Sequence, residues 1–136
     1  MRYTRRQQWH VTLKFLGAAD VDEATAGIGS LRAPTATAQL GPTVGRLGRH
    51  VLVLPVEGLD DLAAAVLAVT DRIGEPVTGR PFRGHLTLAR LSRRDTGGLV
   101  GQHLATGFEV SVVHLVESRL ASTGAQYRTL ATVPLS

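Results

Sequence analysis

An α+β domain is the fold class this sequence predicts, on three observations: segments that alternate apolar and polar residues, a β-branched run at 50–56, and two alanine-rich stretches of helical spacing between them. At 136 residues, with 43% hydrophobic and 19% charged residues, the chain can bury one core but is too short for two ordinary domains. Residues 1–136 are therefore expected to form one domain.

The elements follow in order. In WHVTLKFLG, residues 9–17, Trp9, Val11, Leu13 and Phe15 alternate with His10, Thr12 and Lys14, so a strand is expected with the histidine on its polar face. Gly17 stops it. Asp20 can cap a helix over 21–32, with Asp22 and Glu23 in its first turn and Pro34 beyond its end, although Gly27 and Gly29 weaken it. Residues 36–40 read as a short strand and 50–56 (HVLVLPV) as a buried one, with Pro55 near its edge or end.

Leu59, Leu62, Ala63, Val66, Leu67, Val69 and Ile73 fall at helical spacing, which predicts a helix over 59–73 closed by Gly74. After Pro81-Phe82-Arg83-Gly84, residues 85–91 (HLTLARL) alternate again, with His85 and Thr87 on one face. A helix over 96–105 and strands at 109–119 and 126–134, joined by a turn at Gly124, complete the chain. Trp9, Phe15 and Phe82 are expected in the core.

The formal charge is +4 and the pI about 10.6; Lys14 is the only lysine among mostly arginine cations. Such a surface attracts polyanions, nucleic acid included. With no cysteine, thiolate nucleophiles and cysteine-bound zinc are excluded. No apolar run suits a membrane span and the start has no secretory core, which points to a cytoplasmic protein without a membrane partner. No P-loop or dinucleotide fingerprint is present, since Gly97-Gly98 lacks the residues that would follow it.

The chemistry lies in a repeat: His10-Val11-Thr12-Leu13 and His85-Leu86-Thr87-Leu88, 75 residues apart. On a strand, residues i and i+2 share a face, so each copy presents an imidazole beside a hydroxyl. A hydroxyl can donate to a phosphoryl oxygen, and an imidazole exchanges protons near neutral pH. Cleaving a phosphodiester needs one proton removed from water and one delivered to the leaving oxygen, on opposite sides of phosphorus. A pair of histidines meets both needs, so neither metal nor other cofactor is expected. His50, His103 and His114 stand alone in the sequence and read as structural.

The residues around the repeat resemble a known family. HVTLKFLG and PFRGHLTLAR, together with the tail from Glu117 to Leu120 and from Gly124 to Leu130, are similar to the signatures of the two-histidine RNA 2′,3′-cyclic phosphodiesterases, also called 2′-5′ RNA ligases. The resemblance implies a bilobal fold of two antiparallel-rich sheets around a central cleft with helices outside. It implies hydrolysis of a cyclic phosphate at an RNA end to a 2′-phosphate, with weak ligase activity at most. It further implies that His10 is the proton donor, His85 the proton acceptor, and Thr12 and Thr87 the phosphate-binding residues. Arg83, Arg90 and Tyr127 are candidates for RNA or phosphate contacts, although Arg90, five residues from His85, falls on the opposite parity of a regular strand. RNA ends or small nucleotide cyclic phosphates are the expected partners.

The chain departs from that pattern twice. Gly84 stands where the family usually has proline, which is expected to loosen the entry to the strand. Relative to the family, a strand and a helix before residues 2–4 are missing, which would expose a sheet edge. Two rivals stay open: a phosphodiesterase of another cyclic or 2′-5′-linked nucleotide, and a noncatalytic RNA-binding module.

Overall fold

The computed structural model describes residues 2–4, 9–76, 79, 81–92 and 98–136. The chain forms two compact units, one from residues 1–13, 37–60 and 81–109, the other from 14–36, 61–80 and 110–136. Strands pair antiparallel in each, and the architecture is α+β.

The first unit is built on one sheet. Its strands are β1 (Arg2–Tyr3), β2 (Ala36–Leu40), β3 (Gly45–Leu47), β4 (Val51–Glu57), β5 (His85–Arg90) and β6 (Thr106–Val110), in the order β1-β5-β4-β2-β6 with β3 also on β4. β4 is central because its apolar run has no solvent face to supply: Leu52, Val53, Leu54 and Val56 are all buried. One of its edges pairs with β5, the other with β3 at its start and β2 at its end. Of the two positions the sequence suggested for Pro55, an edge or the end of the strand, it takes the second, near the end of a central strand. Its carbonyl accepts from Gly41 N–H, so its missing donor faces the junction between β2 and β3, where no ladder bond is forfeited.

Three sequence expectations fail here for identifiable reasons. Residues 9–17 make a single antiparallel bridge, Val11 with Leu86, and no strand. Past that bridge Leu16 gives its carbonyl to Glu75 N–H and Gly17 turns with φ 71°. Of the expected 96–105 helix, residues 96 and 97 lie outside the described residues, while 98–101 form turns and His103 bridges Thr43. Gly101, at φ 87°, is a turn residue that a helix would not hold. The expected strand at 109–119 is two, divided at Ser111.

The second unit packs α1 (Val21–Gly29) and α2 (Asp60–Val69) with the hairpin of β7 (Val112–Ala121) and β8 (Gly124–Pro134). Asp20 caps α1 as expected, its carboxylate accepting from Glu23 N–H at 2.9 Å. α1 stops three residues before the expected Arg32 because Ser30 returns both its N–H and its hydroxyl to Gly27 O. Gly27 has a packing reason: a Cβ there would lie 2.5 Å from Ile73 Cδ1 and 2.9 Å from Val69 O. The small residue admits the end of α2.

α2 ends at Val69, not Ile73, where Thr70 turns its hydroxyl back to Val66 O at 2.7 Å. Thr70 is 2% exposed, and Lys14 reaches it, Nζ donating to its carbonyl at 2.8 Å and its hydroxyl oxygen at 2.9 Å. The lone lysine is thus a cationic cap on a helix C-terminus. Lys14→Met, which keeps the stem and removes both bonds, is expected to lower unfolding free energy by about 1–3 kcal/mol. Urea denaturation measures this, and an unshifted midpoint would make the contact incidental.

Candidate functional site

β5 carries the second motif, and its pairing with β4 decides what stands beside it. His85 opposes Pro55, Leu86 opposes Leu54 and Thr87 opposes Val53; then the register shifts, Ala89 opposing Leu52 and Arg90 opposing Val51. Leu88 is the extra residue of a β-bulge. On β4, Val51, Val53 and Pro55 share one face while Leu52 and Leu54 share the other. His85, Thr87 and Arg90 therefore lie on one face of β5, and Leu86 and Ala89, both buried, lie on the core face. This corrects the parity read from sequence, because the bulge brings Arg90 round to the histidine's side.

The first motif reaches the same strand from its other edge. Val11 bridges Leu86, so it takes the core-facing side, and its neighbours His10 and Thr12 flank the bridge as His85 and Thr87 flank Leu86. An antiparallel bridge has local two-fold symmetry. His10 is thereby brought toward Thr87 and Thr12 toward His85, with all four residues on one side of one sheet. The strand expected at 9–17 is unnecessary for this, since one bridge fixes the relation.

His85 is half-buried, and its Nδ1 lies 3.0 Å from Arg83 O. A carbonyl can only accept, so Nδ1 carries the proton and donates it. In the neutral ring Nε2 is then an unprotonated acceptor. That is the form a general base needs. The Arg83 carbonyl is a positioning group that sequence reasoning missed, because a backbone oxygen leaves no residue-type signal.

Gly84 precedes His85 in close quarters: its carbonyl accepts from Val56 N–H at 2.8 Å, and an added Cβ would collide with Val56 O. The departure from proline is therefore a tight approach and not a loosening. His10 and Thr12 are exposed, Thr87 is half-buried, and the Arg83 and Arg90 side chains are exposed. Tyr127, on β8 opposite Ser118, belongs to the second unit.

Two aromatics expected in the core lie at the surface: Trp9 is 48% and Phe15 78% exposed. Trp9 donates Nε1–H to Thr4 O at 3.2 Å, an amphipathic ring using its polar end. Phe82 is half-buried. Of the remaining histidines, His50 gives its carbonyl to Leu91 N–H, and His114 Nδ1 lies 2.9 Å from Thr132 Oγ1. Among the described residues no three histidine, aspartate or glutamate side chains gather as a metal-binding set.

Solved structures with a similar fold identify the architecture. E. coli LigT complexed with 3′-AMP matches with a TM-score of 0.75 and 26% identity, over 99% of this chain and 81% of that one. A phosphoesterase crystal structure matches with a TM-score of 0.74 and 25% identity, over 99% and 81%. The fold is that of the two-histidine phosphoesterases. The PDE domain of MHV ns2 shares the fold more distantly, with a TM-score of 0.53 and 21% identity over 90% of this chain and 76% of that domain. No protein-family model matches the sequence, and no curated protein matches it. The likeness to a phosphoesterase and to LigT supports phosphodiesterase chemistry in general. Among the described residues, no helix is long and apolar enough to cross a membrane.

Proposed function

We propose that the chain is a metal-independent phosphodiesterase of the cytoplasm that opens RNA 2′,3′-cyclic phosphate ends to 2′-phosphates. The observation that carries this is the Val11–Leu86 bridge, which sets two imidazoles and two hydroxyls on one side of a sheet. LigT, which shares the fold, has been crystallised with 3′-AMP and with phosphate, and nucleotide ligands of that kind accord with an RNA end as substrate.

The reaction follows from the groups. Thr12 and Thr87 donate hydroxyl hydrogen bonds to the non-bridging phosphoryl oxygens. Nε2 of His85 takes a proton from water, whose oxygen forms a bond to phosphorus as the bond from phosphorus to the 3′ oxygen breaks. Protonated His10 supplies the departing 3′ oxygen with a proton on the other side. The product keeps its phosphate at the 2′ position, and the two histidines exchange protons with solvent to start again. Arg90, on the histidine face, supplies a cation to the phosphate or to the adjoining RNA backbone.

The test is to incubate the protein, with a chelator present, with a short RNA ending in a 2′,3′-cyclic phosphate and to identify the product end. A 2′-phosphate is expected; a 3′-phosphate would overturn the assignment of leaving group, and no turnover would overturn the substrate. Arg90→Ala is expected to lower kcat/KM on this RNA by about 10–100-fold, with Arg90→Lys recovering part of it. An unchanged kcat/KM in Arg90→Ala would leave the arginine a surface charge.

A further inference from the structure

Beside His85 the first unit holds a cavity of about 500 Å³, lined by Pro55, Glu57, Asp60, Phe82, Arg83 and Gly84 among others. Neither motif contributes a side chain to it, but it shares Arg83 and Gly84 with the approach to His85. The hollow is open to solvent and has room to admit a base. Gly84, which lines the hollow, is the chain neighbour of His85, so a nucleotide with its phosphate at that histidine can turn its base toward the hollow.

The lining specifies a chemistry. Phe82 is half-buried and offers an aromatic ring against which a base can lie flat. Glu57 lies two residues past Pro55, which opposes His85, so it stands on the histidine face of the sheet. Asp60 begins α2. Both residues are exposed, and among the described residues neither carboxylate has a hydrogen-bond or ion-pair partner. An ionised carboxylate only accepts, and its two oxygens suit a pair of adjacent donors. Of the four RNA bases, guanine alone offers such a pair, N1–H and the N2 amino group. Adenine and cytosine offer one amino group beside an acceptor, and uracil offers one N–H between two carbonyls.

We propose that this cavity is a guanine subsite, in which Glu57 accepts from N1–H and N2–H, Asp60 adds negative potential, and the purine lies on Phe82. The proposal rests on the phosphodiesterase reading for the placement of the phosphate, and names the nucleoside that carries it.

Titration calorimetry with the 2′-monophosphates of guanosine, adenosine, cytidine, uridine and inosine tests it. Guanosine 2′-monophosphate is expected to bind about ten-fold tighter than the others. Inosine 2′-monophosphate, which lacks the N2 amino group, is expected to fall back toward adenosine. Glu57→Gln is expected to level the guanosine preference without unfolding the protein, since the side chain is exposed. Equal affinities across the bases, no binding by any of them, or a guanosine preference that survives both Glu57→Gln and Asp60→Asn would overturn the subsite. Even binding alongside hydrolysis of the cyclic ends would sink the subsite and spare the activity. A guanosine preference without hydrolysis would do the reverse.

Discussion

Replacing His85 by alanine is expected to slow hydrolysis of a cyclic phosphate end by about 10²–10⁴-fold, the range over which a positioned acid or base acts, with the unfolding midpoint unchanged. His85 is only half-buried, and its polar partner among the described residues is the backbone oxygen of Arg83, to which water can donate in the variant. The loss is therefore chemical and not structural. His10→Ala is expected to lose rate by a similar factor, but for the opposite reason, since it removes a donor and not an acceptor. A substrate with a nitrophenolate leaving group separates the two. That group departs without a proton, so His10→Ala should regain most of its rate on such a diester, while His85→Ala should not. Equal recovery of both variants would contradict the assignment of donor and acceptor.

The second large effect is expected at Gly84. Its carbonyl is bound by Val56 N–H, which holds the glycine backbone against β4, and a methyl group at its Cα would strike Val56 O. The atom it would strike is backbone held in β4 and cannot yield cheaply, so Gly84→Ala is expected to cost about 1–3 kcal/mol of stability. Any relief comes by shifting residues 83–85, and these hold the 3.0 Å contact between Arg83 O and His85 Nδ1. A loss of kcat is expected alongside the loss of stability, because the imidazole would lose its orientation and its fixed tautomer. Gly84→Pro should do the same, despite proline's frequency at this position in the family the chain resembles. Urea denaturation paired with turnover measures both, and a variant with parental stability and rate would show that the strand can shift freely.

Much of the architecture was legible because local chemistry and tertiary demand agree. Asp20 with Glu23, the run in β4 and the alternation around His85 each satisfy one rule, and the structure has no reason to override them. The failures lie where a side chain or a neighbour intervenes. α1 and α2 end early because Ser30 and Thr70 bond back to carbonyls in their own last turns, a choice that helical periodicity does not record. The alternation in 9–15 is genuine, but Lys14 is held by Thr70 and the Leu16 carbonyl by Glu75 N–H, so the chain past the bridge follows contacts that alternation does not record. Two aromatics counted toward the core lie at the surface.

The candidate site was legible in its residue types and spacing, less so in its geometry. The i, i+2 rule foretold that each histidine would stand beside its own threonine. It could not foretell the Val11–Leu86 bridge, which relates one motif to the other, because strand neighbours depend on the register of distant segments. Nor could it foretell the bulge at Leu88, which reverses the parity of Arg90. The Arg83 carbonyl that sets the tautomer of His85 is common to every residue type, and only the fold distinguishes it.

The central claim is that His10 and His85 act as one acid–base pair on a single phosphate. The measurement that tests it most directly is the single-turnover rate of His10→Ala, His85→Ala and the double variant on one RNA with a 2′,3′-cyclic phosphate end. Groups that act as a unit are not additive, so the double variant is expected to be about as slow as either single variant. Penalties that multiply in the double variant, or near-parental rates in either single one, would contradict a shared site.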